Sequence, residues 1–286
     1  MPATTIAYQG APGANSDLAC RSVFPEMTSL PCASFEDAFA AVHEGRARLA
    51  MIPVENSVAG RVADIHHLLP RGGLHIIGEH YQRVVHCLVA PKGATMEGLR
   101  EVHSHIQALS QCRTYLRDRG LVPVSHADTA GAAADVAKWN DPGIAAIASD
   151  LAAEIYGLTI LARGIEDAAH NTTRFLVLAK EPVTPPVGSD TVTSLLFRVR
   201  SVPAALYKAL GGFATNGVNI TKLESYLVDG RFVAAQFYAD VEGHPNERPL
   251  QLAMEELNFF AREVNVLGVY PAHPFRRAAN QQEGQD

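Results

Sequence analysis

Four short polar clusters in this chain carry residue types able to bind and polarise a small anionic molecule. Asn171-Thr172-Thr173-Arg174-Phe175 runs directly into the apolar stretch Leu176-Val177-Leu178. Arg174 offers a planar guanidinium fork suited to a carboxylate, and Thr173 a hydroxyl that donates or accepts. Both stand where a loop enters a strand, at the kind of rim where side chains meet ligands. Glu55-Asn56-Ser57 closes the apolar run 49–54. Gln9-Gly10-Ala11-Pro12-Gly13-Ala14-Asn15-Ser16 follows a short apolar run and precedes a periodic segment, so its backbone amides and Ser16 could hold an anionic group. In the fourth cluster, Ser104-His105-Ile106-Gln107-Ala108-Leu109-Ser110-Gln111-Cys112, Gln107 and Gln111 share one helix face. Taken singly, each cluster is also what a solvated loop, a plain strand-to-helix turn or a solvated helix face shows.

The elements that must position these clusters follow from periodicity. Strands are predicted at 6–8, 49–54, 121–125 and 144–148, with an extended stretch over 78–90. Helices are predicted at 34–44 (capped by Ser34 and stopped at Gly45), 60–69, from Ser104 as cap to about 118, 129–139, and 150–156 behind the Ser149 cap. A Ser or Asn cap is expected to open the helix after the glycine turn. Strand and helix alternate over roughly the first 180 residues, which argues for an α/β sheet region. Residues 181–190 are a Pro-rich linker. The pattern then resets: strand 193–199, helix 204–216, strands 219–226 and 232–241 joined by an Asp229-Gly230 hairpin turn, helix 249–262 and strand 264–270. That order, βαββαβ, predicts a small ferredoxin-like sandwich. The expected domains are therefore 1–180, a linker 181–190, a second domain 191–272, and a polar, disordered tail 273–286.

Bulk properties narrow the function. The 286 residues are 47% hydrophobic and 19% charged, with a net charge of −6. This is the composition of a soluble globular protein with no basic stripe for nucleic acid. No apolar run reaches the roughly 18 residues that span a membrane, and the N-terminus lacks the basic region of an export signal, so a cytoplasmic location is expected. Cys20, Cys32, Cys87 and Cys112 form no CxxC pair and read as buried thiols. His66-His67 and His103-x-His105 lack metal-ligand spacing, and the glycine turn is not GxGxxG, so neither a metal nor a dinucleotide is expected.

Taken together the clusters resemble the prephenate dehydratase family. The resemblance rests on Tyr8-Gln9-Gly10-x-x-Gly13-x-x-Ser16, Ile52-Pro53-Val54-Glu55-Asn56-Ser57, Ser104-His105-x-Gln107-Ala108-Leu109-x-Gln111-Cys112 and Asn171-x-Thr173-Arg174-Phe175. It covers nearly the whole chain, and residues 191–270 resemble an ACT domain, an amino-acid-sensing module. Two departures stand out: Ile106 follows His105 where the family has Pro, and Glu224-Ser225-Tyr226-Leu227 replaces Glu-Ser-Arg-Pro.

The resemblance implies two α/β lobes folded like a type 2 periplasmic binding protein, with the active site between them. It implies cofactor-free conversion of prephenate to phenylpyruvate by a monofunctional enzyme, and a homodimer or homotetramer. Thr173 would donate to the leaving hydroxyl. Ser104, Asn56 and Gln111 would polarise or orient the substrate, and Arg174 would hold a carboxylate. Phe175, Glu55, Ser57, Ser16 and Gly10 complete the expected substrate contacts. Phenylalanine is the expected effector. The turn before Asn219 marks its site, and the resemblance adds Ala205, Leu206, Leu223, Glu224 and Ser225. Arogenate as substrate, or a non-catalytic two-lobed binding protein, are the competing readings.

Overall fold

The computed structural model describes residues 4–62, 65–200, 202–227 and 234–277, with backbone alone at 66, 67, 227, 234 and 235. The His66-His67 side chains and the Asp229-Gly230 turn lie outside the described residues. In chain order the elements are β1 (Thr5–Gln9), α1 (Asn15–Val23), β2 (Thr28–Cys32), α2 (Phe35–His43), β3 (Leu49–Asn56), β4 (Gly60–Arg61), α3 (Ile65–Leu68), β5 (His75–Arg83) and β6 (Cys87–Ala90). Next come β7 (Glu101–His105), α4 (Ile106–Gln111), α5 (Arg113–Asp118), β8 (Val122–His126), α6 (Thr129–Trp139), β9 (Ile144–Ala148), α7 (Asp150–Tyr156), β10 (Thr159–Arg163) and β11 (Thr172–Ala179). The chain ends with β12 (Thr191–Val199), α8 (Ala205–Thr215), β13 (Ile220–Leu227), β14 (Ala234–Glu242), α9 (Arg248–Phe260) and β15 (Ala261–Pro271). Two compact units result, Met1–Leu68 with His80–Leu176, and Leu69–Glu79 with Val177–Asp286. Leu69–Glu79 goes with the second unit.

Two sheets lie mainly in the first unit. One has the order β2-β1-β3-β11-β5, with β1 parallel to both β2 and β3, and β4 off the path on β3. The other runs β10-β6-β9-β7-β8; β9, β7 and β8 are parallel, and β6 and β10 antiparallel. Helices cover this second sheet on both faces. Leu88, Val102, Ala145 and Ile147 pack with Leu109 and Leu116 on one side. Cys87, Val89, Ala146 and Ala148 pack with Ala130, Val136 and Ala152 on the other. A strand buried on both faces has no polar face to alternate with, which is why the 84–89 stretch lacks a clean period of two.

Several caps follow the expectation. Ser34 forms a reciprocal capping box with Asp37, and Ser149 accepts from the Ala152 N–H. Four expectations fail for physical reasons. Ala14, not Ser or Asn, caps α1, and Ser16 lies inside the helix. Ser104 ends up within β7, and His105 caps α4 by accepting from the Gln107 N–H. The expected helix to 118 breaks at Cys112 (φ −117°, ψ 19°), where the Gln111 carbonyl accepts from Asp167 N–H at 2.6 Å instead of continuing the helix. The expected helix 60–69 shrinks to α3. There the Asn56 side chain accepts from the Val58 and Ala59 N–H groups and turns the chain back, so that Gly60 and Arg61 pair with β3. Such a side-chain-to-backbone bond competes directly with helix formation.

The second unit contains the expected βαββαβ order as an antiparallel sheet β13-β14-β12-β15. On one face Leu195, Phe197, Phe237, Ala239 and Val241 pack with Ala205, Ala209 and Phe213 of α8 and Leu250, Ala253 and Leu257 of α9. The opposite face carries Tyr238, Asp240, Ser194 and Tyr270, with the Asp240 carboxylate accepting from the Ser194 and Tyr238 hydroxyls. Against it lies the 69–79 segment. A Cβ on Gly268 would fall 2.0 Å from the Ile76 carbonyl oxygen, so only glycine fits. Within the tail expected to be disordered, residues 274–277 form a helical turn. Arg276 grips the buried Glu79 carboxylate through two nitrogens (2.6 and 2.9 Å), and the His273 N–H donates to the same group.

Candidate active site

The ends of β3 and β11 bring Asn56, Asn171 and Thr173 together, and His86, just before β6, and Gln111, the last residue of α4, join them. Asn56 Nδ2 donates to Asn171 Oδ1 at 2.7 Å and to the Thr173 hydroxyl oxygen at 3.0 Å. Asn171 Nδ2 donates to Gln111 Oε1 at 3.0 Å. Gln111 Nε2 approaches Asn56 Oδ1 at 3.4 Å, and Gln111 Oε1 meets His86 Nε2 at 2.7 Å. The network thus links the ends of β3 and β11 to α4 and to the segment that leads into β6. Asn171 and His86 are buried in it, while Asn56, Thr173 and Gln111 keep partial solvent contact.

Two donors in this ring have no acceptor among the described residues. The Thr173 oxygen already accepts from Asn56, which leaves its O–H to donate. Gln111 has two N–H groups, of which one is aimed at Asn56. Ser57 ties the strand ends without joining the ring: its hydroxyl donates to the His170 carbonyl and accepts from Thr172 N–H. Glu55 pairs with Arg174 at 3.1 Å, and the Arg174 side chain is only 2% exposed. The Arg174 guanidinium is thus held out of solvent with Glu55 as a partner.

Other expected contacts are placed elsewhere. Ser104 is fully buried and its hydroxyl donates to the Ile147 carbonyl at 2.7 Å, with no bond to the ring. Phe175 is a core side chain. The glycine turn spends its amides internally: Gly10 N–H donates to the Cys32 carbonyl, and Gly13 N–H to the Asp17 carboxylate. Gly13 instead docks on α7. Its φ is +87°, its carbonyl accepts from Ser149, and a Cβ there would fall 2.6 Å from Ala152 Cα. Ser16 is buried in the first turn of α1.

Sequence reasoning quoted Asn171 without giving it a role and passed over His86 and Glu166. The signal for His86 was available. A histidine inside the apolar run Val84-Val85-His86-Cys87-Leu88 must find a hydrogen-bond partner once buried. Here the partners are Gln111 for the ring and the Glu166 carboxylate for the backbone N–H, at 2.9 Å. Burial pushes the His86 pKa down, against the opposing pull of Gln111 and Glu166. All four cysteines are buried and free, as expected. Burial likewise raises the pKa of the Cys112 thiol beside Gln111, so it stays protonated. No helix of the described residues is long and apolar enough to cross a membrane.

Among the expected effector residues, strand alternation separates Glu224 from the rest. Ser225 opposes Phe237 and Leu223 opposes Ala239 on the helix-covered face, where Ala205 and Leu206 also pack. Glu224 opposes Tyr238 on the other face. Asn219 is exposed at the end of the α8–β13 turn, and its carbonyl accepts from Glu242 N–H.

Fold and site together define a mixed α/β protein whose strand ends meet in a ring of side-chain amides closed by a hydroxyl and an imidazole. The family model described as prephenate dehydratase matches residues 6–183, and the chain belongs to that family. It is 56% identical, over 95% of its length and 97% of the other, to a bifunctional N-acyl-homoserine lactone acylase/prephenate dehydratase of Komagataeibacter europaeus. It is 41% identical, over 93% of its length and 72% of the other, to an arogenate dehydratase/prephenate dehydratase of Arabidopsis thaliana. A solved prephenate dehydratase of Arthrobacter aurescens in complex with L-Phe superposes with a TM-score of 0.87 at 26% identity, covering 98% of each chain.

Proposed function

We propose that the protein is a prephenate dehydratase that removes water and carbon dioxide from prephenate to leave phenylpyruvate. In that reaction the bond to the ring carboxylate breaks, its electron pair enters the ring, and the hydroxyl across the ring leaves with a proton. Aromatisation supplies the driving force. The protein has to stabilise charge that grows on the departing oxygen, an effect realised only in the transition state. One observation carries the reading: the Thr173 hydroxyl has its oxygen held by Asn56 and its O–H uncommitted. A threonine hydroxyl is a poor acid, so it acts by hydrogen bonding. Gln111 and Asn56 orient the substrate, and Arg174, steadied by Glu55, takes a carboxylate. The test is turnover of purified protein with prephenate and, separately, arogenate. Phenylpyruvate formation supports the reading, and absence of turnover with both compounds refutes it.

Two further activities have specific support. The Arabidopsis relative is named for both dehydratase substrates, and the two differ only at the side-chain amine, so arogenate turnover is the first alternative. The Komagataeibacter relative, alike over nearly the whole chain, is also named an acylase. Release of homoserine lactone from an N-acyl-homoserine lactone by this protein would replace the monofunctional reading with a bifunctional one.

Regulation by phenylalanine through an ACT-type domain at 191–272 is part of the same proposal. Its support is the βαββαβ order and the L-Phe held by the Arthrobacter protein. A homodimer or homotetramer is the proposed assembly, with Tyr207 of α8 and Phe259 of α9 as exposed aromatic contacts. Light scattering that returned a monomer would refute it.

A further inference from the structure

Two backbone N–H groups set the orientation of the whole amide ring. Val58 and Ala59 both donate to one side-chain atom of Asn56, at 3.0 and 2.8 Å. A backbone N–H only donates, so that atom is the oxygen and the other end of Asn56 is the NH2. The Asn56 NH2 faces Asn171 Oδ1, which makes the other end of Asn171 a donor to Gln111. The Gln111 atom that receives it is therefore oxygen, and the same oxygen lies 2.7 Å from His86 Nε2. An amide oxygen has no proton to give, so the proton sits on His86 Nε2. The other neutral tautomer would set a nitrogen lone pair against the oxygen.

His86 is built to hold that proton in place. It is 4% exposed. Its backbone N–H donates to Glu166, its carbonyl accepts from Ile165 N–H at 3.2 Å, and the neighbouring Val84 N–H donates to the Asn171 carbonyl. Burial lowers the imidazole pKa and keeps it neutral near pH 7. With its oxygen gripped by both His86 and Asn171, the Gln111 amide cannot turn over, and its NH2 is aimed at Asn56 and the uncommitted side of the ring.

We propose that His86 is a positioning residue of this reaction, acting through Gln111, whose donor it aims at the substrate. This rests on the reading of Gln111 as a substrate contact. The experiment compares His86→Phe, which keeps a ring but no donor, with His86→Gln, which restores an N–H at similar reach. Loss of a supporting contact of this kind commonly lowers activity by about 10- to 100-fold. His86→Phe is expected to lose that much kcat for prephenate while KM changes by less than about threefold, and His86→Gln to regain most of it. In a Gln111→Ala background, His86→Phe is expected to change kcat by less than about twofold, since the pair acts as one unit. A folded His86→Phe protein with wild-type kcat, or effects of His86 and Gln111 that simply multiply, would overturn the proposal.

A second measurement needs neither turnover nor a folded variant. The imidazole 15N spectrum of the unaltered protein is expected to show His86 as the neutral Nε2–H form. Finding the Nδ1–H form would overturn the proposal even if prephenate is consumed. Conversely, absence of prephenate turnover alongside an intact Nε2–H signal would locate the failure in the dehydratase reading.

Discussion

Asn56 and Thr173 stand 117 positions apart in the chain and meet at 3.0 Å, with the Asn56 amide donating to the threonine oxygen. The contact leaves the Thr173 O–H as the half that can turn to a ligand. Thr173→Ala is therefore expected to lower kcat by roughly two to three orders of magnitude, as for loss of one preorganised donor. Thr173→Ser should keep most of the activity. Steady-state kinetics on folded protein decides it, and near-normal turnover by the alanine variant would remove Thr173 from the chemistry.

Arg174 lies beneath Glu55 with almost no solvent contact. Replacing it by alanine leaves Glu55 without this cation, so Arg174→Ala should lose about 3 kcal/mol of stability as well as activity. Arg174→Lys should recover stability better than turnover, because a single ammonium cannot hold Glu55 and a substrate carboxylate in the same plane. Denaturant melts paired with kinetics on the two variants check this. Equal kinetics for lysine and arginine would leave Arg174 a purely structural cation.

The depressed pKa of His86 gives stability a pH dependence. The unfolded chain takes up its proton as pH falls through about 6.5, whereas the folded protein resists until a lower pH. The unfolded state then binds more protons, so stability is complete above about pH 6.5 and declines as pH falls below it. His86→Gln should flatten that decline. Melting temperatures of both proteins between about pH 5.5 and 7.5 provide the comparison, and parallel curves would sink the prediction.

Arg276 holds Glu79 across 197 positions; the Glu79 side chain is buried and that of Arg276 is largely covered. Arg276→Ala removes two charge-assisted hydrogen bonds from the buried Glu79 carboxylate, which should cost about 3–5 kcal/mol. Arg276→Ala with Glu79→Gln should recover part of the loss, because a neutral amide needs no counter-charge. Chemical denaturation of the two variants tests this, and a single variant as stable as the parent would show that the pair contributes nothing.

Phenylalanine should bind the protein with measurable heat, through the 191–272 unit. The helix-facing position of Leu223 beside Ser225 makes Leu223→Glu the sharp test: binding should disappear while turnover without phenylalanine persists. To inhibit, the ligand must favour one arrangement of the protein over another, whatever its affinity. Undiminished binding by Leu223→Glu would place the effector elsewhere.

Much of this protein was legible along the chain. Ser34 and Ser149 announced their helices, because a cap bonds an N–H within three residues and needs nothing distant. The βαββαβ order was equally local, carried by period and punctuation. Where the reading failed, a hydrogen bond outside the periodic pattern outbid the pattern. The periodic stretch 60–69 kept only the short helix α3 once Asn56 captured the Val58 and Ala59 N–H groups and Gly60-Arg61 paired with β3. The helix after Ser104 broke at Cys112, where Asp167 N–H took the Gln111 carbonyl. The polar tail looked too poor in apolar surface to order, yet Arg276 had Glu79 waiting across 197 positions.

The site divides in the same way. Residue types identified Thr173 and Arg174 as groups able to meet an anion, since side-chain chemistry is intrinsic, and the family resemblance added Asn56 and Gln111. What each group actually does was decided by packing. Ser104 spends its hydroxyl on Ile147, and Gly13 fits only because its missing Cβ makes room for Ala152. His86 became part of the ring because the chain leading into β6 buries it, and a buried imidazole must find a partner. Hydrogen bonds are short and directional, so their assignment waits until the tertiary structure brings donor and acceptor within 3 Å or so of each other.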